Sequence, residues 1–169
     1  MVNKMMSCIG AIALVGSVTL AAAADNASQK FIKEAIEGNL SEIAVGKLAE
    51  QKAKNDDVRS FGEMLVKDHT DANQKATSLA GSLGVTPPTE PTRKQKAIYD
   101  RLAKLSGDKF DRAFVKAMVE DHKADIREFE KEAKQPNDPA VAFANESLPV
   151  LKKHLSTAQS LARGKSAAR

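Results

Sequence analysis

Histidine is scarce in this chain, and two of its three copies sit in near-duplicate phrases, VKDHTDAN at residues 66–73 and VEDHKADI at 119–126. The third, His154, stands in LPVLKKHL at 148–155. An imidazole near a carboxylate can share a buried hydrogen bond, bind a metal such as Zn, Fe, Cu or Mn, or move a proton. Consecutive residues of a helix diverge by about 100°, so Asp68 and Asp121 cannot point where His69 and His122 point. Each acid lies beside its histidine's seam, within reach of a neighbouring helix. The repeated phrase therefore reads first as a polar network of Asp68, His69, Asp121 and His122 that crosslinks helices. A second reading gathers His69, His122, His154 and Glu42 around a divalent transition metal, with Asp68 or Asp121 orienting the rings from outside. Acid–base catalysis has least in its favour, and no residue is singled out as catalytic. No His-x-x-x-His pair occurs, and Val66, Val119 and Leu151 occupy the positions where a Glu-x-x-His motif would place its acid. His122 and Asp125 form an i, i+3 pair, a spacing common on many helices.

The elements that must position these groups are all helical, since no stretch alternates with the period of a strand. A first helix is predicted from a cap at Asn26 or Ser28 to about Ala53. Its apolar side comprises Phe31, Ile32, Ala35, Ile36, Leu40, Ile43, Val45 and Leu48. A second, small and polar face, Ala35, Asn39, Glu42, Gly46 and Ala49, carries the acid best placed to meet an imidazole. Gly38 and Gly46 weaken the helix and suggest close approach of a partner. Asn55 or Asp56 caps a second helix to about Leu83. Its seam of Gly62, Leu65, His69, Ala72, Ala76, Leu79 and Leu83 steps alternately by three and four.

GVTPPTEPT ends that helix, because its prolines cannot continue it. A short amphipathic piece follows, with Ile98, Leu102 and Leu105 facing inward. Asp108 is the expected cap of a third long helix to about Lys134, with Val115, Met118, His122, Ile126, Phe129 and Ala133 on its seam. Asp138 as cap and Pro139 at the first position open the fourth. Its stripe is Val141, Ala144, Leu148, Leu151, Leu155, Ala158 and Ala162, with His154 beside it. Pro149, inside this helix, removes the hydrogen bond to the Asn145 carbonyl and bends the element. Four long helices with an extended crossover between the second and third make an all-α, ferritin-like four-helix bundle.

The N-terminal segment reads as a signal peptide. Lys4 precedes an apolar run from Cys8 to Leu20, and the small residues Ala21 to Ala24 follow as a cleavage site. The apolar run is short for a bilayer, which takes about 20 such residues, and Cys8 stands before the run rather than closing it as in a lipoprotein. The expected organisation is signal peptide 1–24, bundle domain 25–162 and a frayed basic tail 163–169. Without the signal no cysteine remains, which excludes disulfides and thiolate metal sites. The full chain carries a formal charge of +4, spread as mixed Lys/Glu pairs. A basic surface interleaved with aromatics is absent, which argues against nucleic-acid binding.

EGNLSEIAVGKLAEQKAKNDDVRSFGEMLVKDHTDAN, FDRAFVKAMVEDHKADIREFEKEA and LPVLKKHL together resemble domain-of-unknown-function family 4142, exported bacterial proteins of the ferritin-like superfamily often provisionally labelled outer membrane proteins. The positions carrying the resemblance are Asn39, Glu42, Asp68, His69, Asp121, His122, Pro149 and His154. It implies a periplasmic or envelope-associated bundle with no agreed activity. Ferritin-like oxidases use two Glu-x-x-His pairs, which this chain lacks, so a di-iron centre, ferroxidase activity and iron storage are not expected. Nothing after the signal reads as a spanning helix or a barrel strand, so any membrane contact would be peripheral. The leading expectation is a non-enzymatic periplasmic protein of binding or envelope-stress type. The alternative is a metal-binding bundle. No cofactor is firmly implied beyond a candidate divalent transition metal, and a protein partner or oligomer is left open.

Overall fold

The computed structural model describes the backbone of residues 16–164 and side chains from Ala27 onward. Residues 1–15, within the expected signal peptide, and 165–169, within the expected frayed basic tail, lie outside the described residues. The elements are α1 (Gly16–Lys52), α2 (Asp56–Ser82), α3 (Arg93–Ala103), α4 (Gly107–Glu132) and α5 (Val141–Ala162). The described residues form helices and connections, with no strand.

Local chemistry sets most boundaries. Asn55 caps α2, its Oδ1 accepting from Asp57 N at 2.7 Å and Val58 N at 3.4 Å, while Asp56 and Asp57 complement the helix N-terminus. Gly84, at φ +66°, lets the chain turn back so that Val85 N donates to Ala80 O at 2.9 Å. Thr92 and Gln95 close a capping box on α3.

Three expected starts are displaced. First, α1 runs unbroken through Asn26 and Ser28, so neither caps it. Second, α4 starts from Ser106, and Asp108 sits in its first turn beside Lys54, 3.2 Å away. Third, Ala140 takes the cap position of α5, after Pro139. The Asp138 carboxylate is engaged elsewhere: Oδ1 accepts from Ser28 Oγ at 2.6 Å and from Ala140 N at 2.8 Å. That long-range bond joins the start of α5 to α1.

α1 and α2 form one antiparallel hairpin, and α4 and α5 another. Asp111 docks the top of the second hairpin on the first. Its Oδ1 accepts from Lys54 N at 3.1 Å and its Oδ2 from Asn55 N at 2.9 Å. α4 thus starts at the end where α2 starts, and the chain from Leu83 through α3 must climb the bundle's length along α1. α2 and α4 run parallel, the crossover connectivity of ferritin-like bundles. Lys52 Nζ fastens the crossover's far end by donating to Ala103 O at 2.7 Å.

The apolar core is in two pieces. One gathers Val45, Leu48, Phe61, Leu65, Leu102, Phe110, Phe114 and Met118. The other gathers Ile32, Ile36, Ala76, Ala80, Ala140 and Phe143, with Phe31 and Phe129 against it. Within the first cluster the helices α1 and α2 come close at Gly46 and Gly62. A Cβ on Gly46 would lie 2.9 Å from Gly62 O, and one on Gly62 would lie 2.8 Å from Gly46 O. Gly38 has no such neighbour: a Cβ there would meet nothing within 4 Å.

Candidate metal centre

The gap between the two apolar clusters is filled by polar side chains from all four long helices. α1 supplies Asn39 and Glu42, one turn apart on its small face. α2 supplies Asp68 and His69, α4 supplies Asp121, His122 and Asp125, and α5 supplies His154. Glu42 is 1 % exposed, His69 3 %, and His122 and His154 0 %. The rings converge: centroids lie 5.2 Å apart for His122–His154, 5.3 Å for His69–His154 and 5.8 Å for His69–His122. One nitrogen from each ring falls within 4.8 Å of the others.

Hydrogen bonds on the outer edges of the rings decide which nitrogens face inward. His122 Nδ1 lies 3.0 Å from the Met118 carbonyl, which can only accept, so Nδ1 carries the hydrogen. His154 Nε2 lies 3.0 Å from Asp68 Oδ2. Burial raises the Asp68 pKa, but the His154 hydrogen bond, with the His154, Lys67 and Lys153 charges, outweighs it and the net shift is downward. Asp68 is thus an anion that fixes the hydrogen on Nε2. His69 Nδ1 lies 2.9 Å from Asn39 Oδ1, an acceptor, which again places the hydrogen on Nδ1. Neutral rings so held leave His69 Nε2, His122 Nε2 and His154 Nδ1 with lone pairs.

The rings are neutral at pH 7. Burial drives His69 down to about 4 and lowers His122, and burial, with the neighbouring His69 next, takes His154 to about 4. His122 Nε2 and His154 Nδ1 then face each other at 3.2 Å, lone pair to lone pair. Tetrahedral zinc at about 2.05 Å from each nitrogen holds two of them about 3.3 Å apart. The observed separation suits two ligands of one ion.

Glu42 lies against this group, with Oε2 2.8 Å from His69 Nε2 and Oε1 3.2 Å from His122 Nδ1. Neither approach is aligned as a hydrogen bond, and Oε1 and His69 Nε2 have no other partner. On its other side Glu42 meets Asp121 and Asp125, one oxygen of each within 4.8 Å of the rest. The crowding shows in proton affinity. Burial, then the Glu42 charge, pushes Asp121 up to about 7. Burial, then Glu42, Asp121 and Glu128, holds Asp125 well above the carboxylate range.

All four metal candidates, Glu42, His69, His122 and His154, therefore meet in one layer. Of the acids in the expected network, Asp68 reaches an imidazole on another helix, His154 of α5. Asp121 makes no hydrogen bond to an imidazole, but its charge acts on His69 of α2, and it also crowds Glu42 and Asp125. Sequence reasoning passed over that trio, although Asp121 and Asp125 stand four apart on one helical face. It also passed over Asn39 as the partner of His69. Pro149 lies on the exposed side of α5. Among the described residues no helix is long and apolar enough to cross a membrane.

None of the curated proteins matches the chain. Among solved structures, a DUF305 fragment from Deinococcus radiodurans is similar at a TM-score of 0.72 and 11 % identity, over 82 % of this chain and 96 % of that one. A DUF305 protein from Streptomyces coelicolor, provisionally described as secreted, is similar at a TM-score of 0.70 and 11 % identity, over 86 % and 98 %. At that identity the likeness establishes the fold alone. The model of the family described as a domain of unknown function, DUF4142, matches residues 14–161, and the chain belongs to that family.

Proposed function

We propose that this protein is an exported, non-enzymatic helical bundle that holds one divalent transition metal between His69, His122 and His154, with Glu42 supplying a carboxylate oxygen. The observation that carries this reading is the pair of lone pairs facing at 3.2 Å between His122 and His154, each fixed by a bond on the ring's far edge. A cation resolves that repulsion directly. A proton would have to charge an imidazole that burial keeps neutral. Three imidazoles and a carboxylate suit Zn most simply, and Cu, Fe or Ni by the same ligands. Export is supported by the signal-like N-terminus and by the secreted description attached to the Streptomyces relative in fold.

The test is elemental analysis of untagged protein purified from the exported fraction, followed by zinc titration. One equivalent of metal, lost on His69→Ala and His122→Ala, is expected. A folded wild-type protein that takes up no Zn, Cu, Fe or Ni would refute the reading.

A second reading, without metal, rests on the Asp68–His154 bond, which joins α2 to α5 across the core. It treats the layer as a register device for the helices. Asp68→Ala in chelator-treated protein separates the two: a large loss of melting temperature there supports the network. A loss seen only after zinc is added supports the metal.

A further inference from the structure

A second ligand position adjoins the three histidines, built from oxygen alone. Glu42 is fully buried, which raises its pKa, and its Oε1 has no hydrogen bond, His122 Nδ1 at 3.2 Å being committed to Met118 O. The Glu42 carboxyl stands with those of Asp121 and Asp125, one oxygen of each lying within 4.8 Å of the others. A cavity of about 80 Å³ opens beside them, its polar lining Asn39, Glu42, His69 and Asp125 with Glu34 and Glu128, and its apolar lining chiefly Phe31, Phe129 and Leu151. Gly38 borders the same space and keeps it clear of a side chain. Asn39, on the same lining, has a buried Nδ2 without a hydrogen-bond partner.

From this arrangement we infer that Glu42, Asp121 and Asp125 form a site for a hard divalent cation, separate from the imidazole site and joined to it through the two oxygens of Glu42. Three carboxyl groups beside a cavity match what oxygen-seeking cations require, and Ca²⁺ or Mn²⁺ would complete its shell with waters. The cavity admits a cation with some of its waters, and its acidic walls attract one from solution. The two positions divide the cations by chemistry: nitrogen ligands take the softer ion and oxygen ligands the harder. The site shares Glu42 with the reading above but stands on its own residues and cavity.

Calcium is the probe, because it does not compete for imidazole. Isothermal titration of the full domain with Ca²⁺ should give one equivalent in the wild type. His154→Gln should bind within about threefold of that affinity. Asp121→Asn and Asp125→Asn, near-isosteric and checked for folding by circular dichroism, should each weaken calcium at least tenfold while leaving one equivalent of zinc in place. Calcium binding without zinc binding would sink the histidine reading and leave this one standing. Two results overturn it: no calcium bound by folded wild-type protein, or calcium affinity unchanged in both asparagine variants. A trio that merely stores protons gives the first of these.

Discussion

The two apolar clusters and the polar layer between them are built on opposite terms. The six phenylalanines divide evenly, Phe61, Phe110 and Phe114 on one side and Phe31, Phe129 and Phe143 on the other. Phe114 touches both Phe61, at a centroid distance of 6.0 Å, and Phe110, at 5.8 Å, while Phe31, Phe129 and Phe143 are all in mutual contact, Phe31–Phe129 at 4.9 Å. Burying one such ring contributes about 1.5–3 kcal/mol. The middle layer offers no comparable return. Asn39 Nδ2, Glu42 Oε1 and His69 Nε2, three of the five buried polar side-chain atoms without a hydrogen bond among the described residues, fall within it. Each such atom costs about 1–3 kcal/mol. The ends hold the bundle together, and the middle is retained against stability, as expected of a binding site.

The largest test of this contrast is Phe114→Ala, fully buried between Phe61 and Phe110. It should cost about 3–5 kcal/mol in urea unfolding and leave zinc stoichiometry unchanged in the folded fraction. Metal should act on the middle alone. At a free zinc concentration 100 times its dissociation constant, wild-type stability should rise by about 2.7 kcal/mol, and His122→Ala should abolish the rise.

The glycines give a smaller, paired comparison. Gly46→Ala drives a Cβ to 2.9 Å from Gly62 O and should destabilise by about 1–3 kcal/mol. Gly38→Ala, in open space on the same helix, should stabilise metal-free protein by about 0.5–1 kcal/mol. Equal effects in thermal melts would mean that the α1–α2 approach is looser than the geometry shows.

The smallest effect depends on pH. Asp121 is raised from 3.8 to about 7, so the folded chain holds that proton more tightly than the unfolded chain. Its contribution is intact below pH 3.8 and is lost as pH rises toward 7. Metal-free Asp121→Asn should therefore gain stability over wild type progressively across that window, by about 1 kcal/mol or more at pH 8. His69 and His154, lowered from 6.5 to about 4, run the other way, their contribution being lost as pH falls through that interval. A difference between Asp121→Asn and wild type that is flat from pH 4 to 8 would contradict the crowding of the acids.

Much of this was legible in the sequence because it is periodic. The three-four stepping from Gly62 to Leu83, the Asn55 cap and the polar face from Asn39 to Ala49 are local signals, and local geometry preserves them. The histidines declared their inward direction by falling on or beside apolar seams. What escaped depends on residues distant in the chain. Asp111 looks like any surface acid until the α1–α2 turn arrives, 57 residues upstream, to donate two backbone N–H groups. Asp138 looks like a helix cap until Ser28 meets it from 110 residues away. Asp121 read as a mate for histidine, and its charge does act on His69, but packing also sets it against Glu42 of α1, which no local pattern announces. Phe61, Phe110 and Phe114 escaped for a simpler reason: the buried face of each helix is wider than the seam used to read it.

The site is divided between two halves of the chain. Glu42, Asp68 and His69 belong to the first hairpin, and Asp121, His122, Asp125 and His154 to the second. Under the proposed metal reading neither half would bind the ion as the whole does, so cation affinity would also be affinity of one hairpin for the other, by thermodynamic reciprocity. Cutting the proline-bearing crossover would turn the bundle into two fragments whose reassembly ought to be zinc-dependent, a property that size-exclusion chromatography of the cleaved protein, with and without chelator, would read as one peak or two.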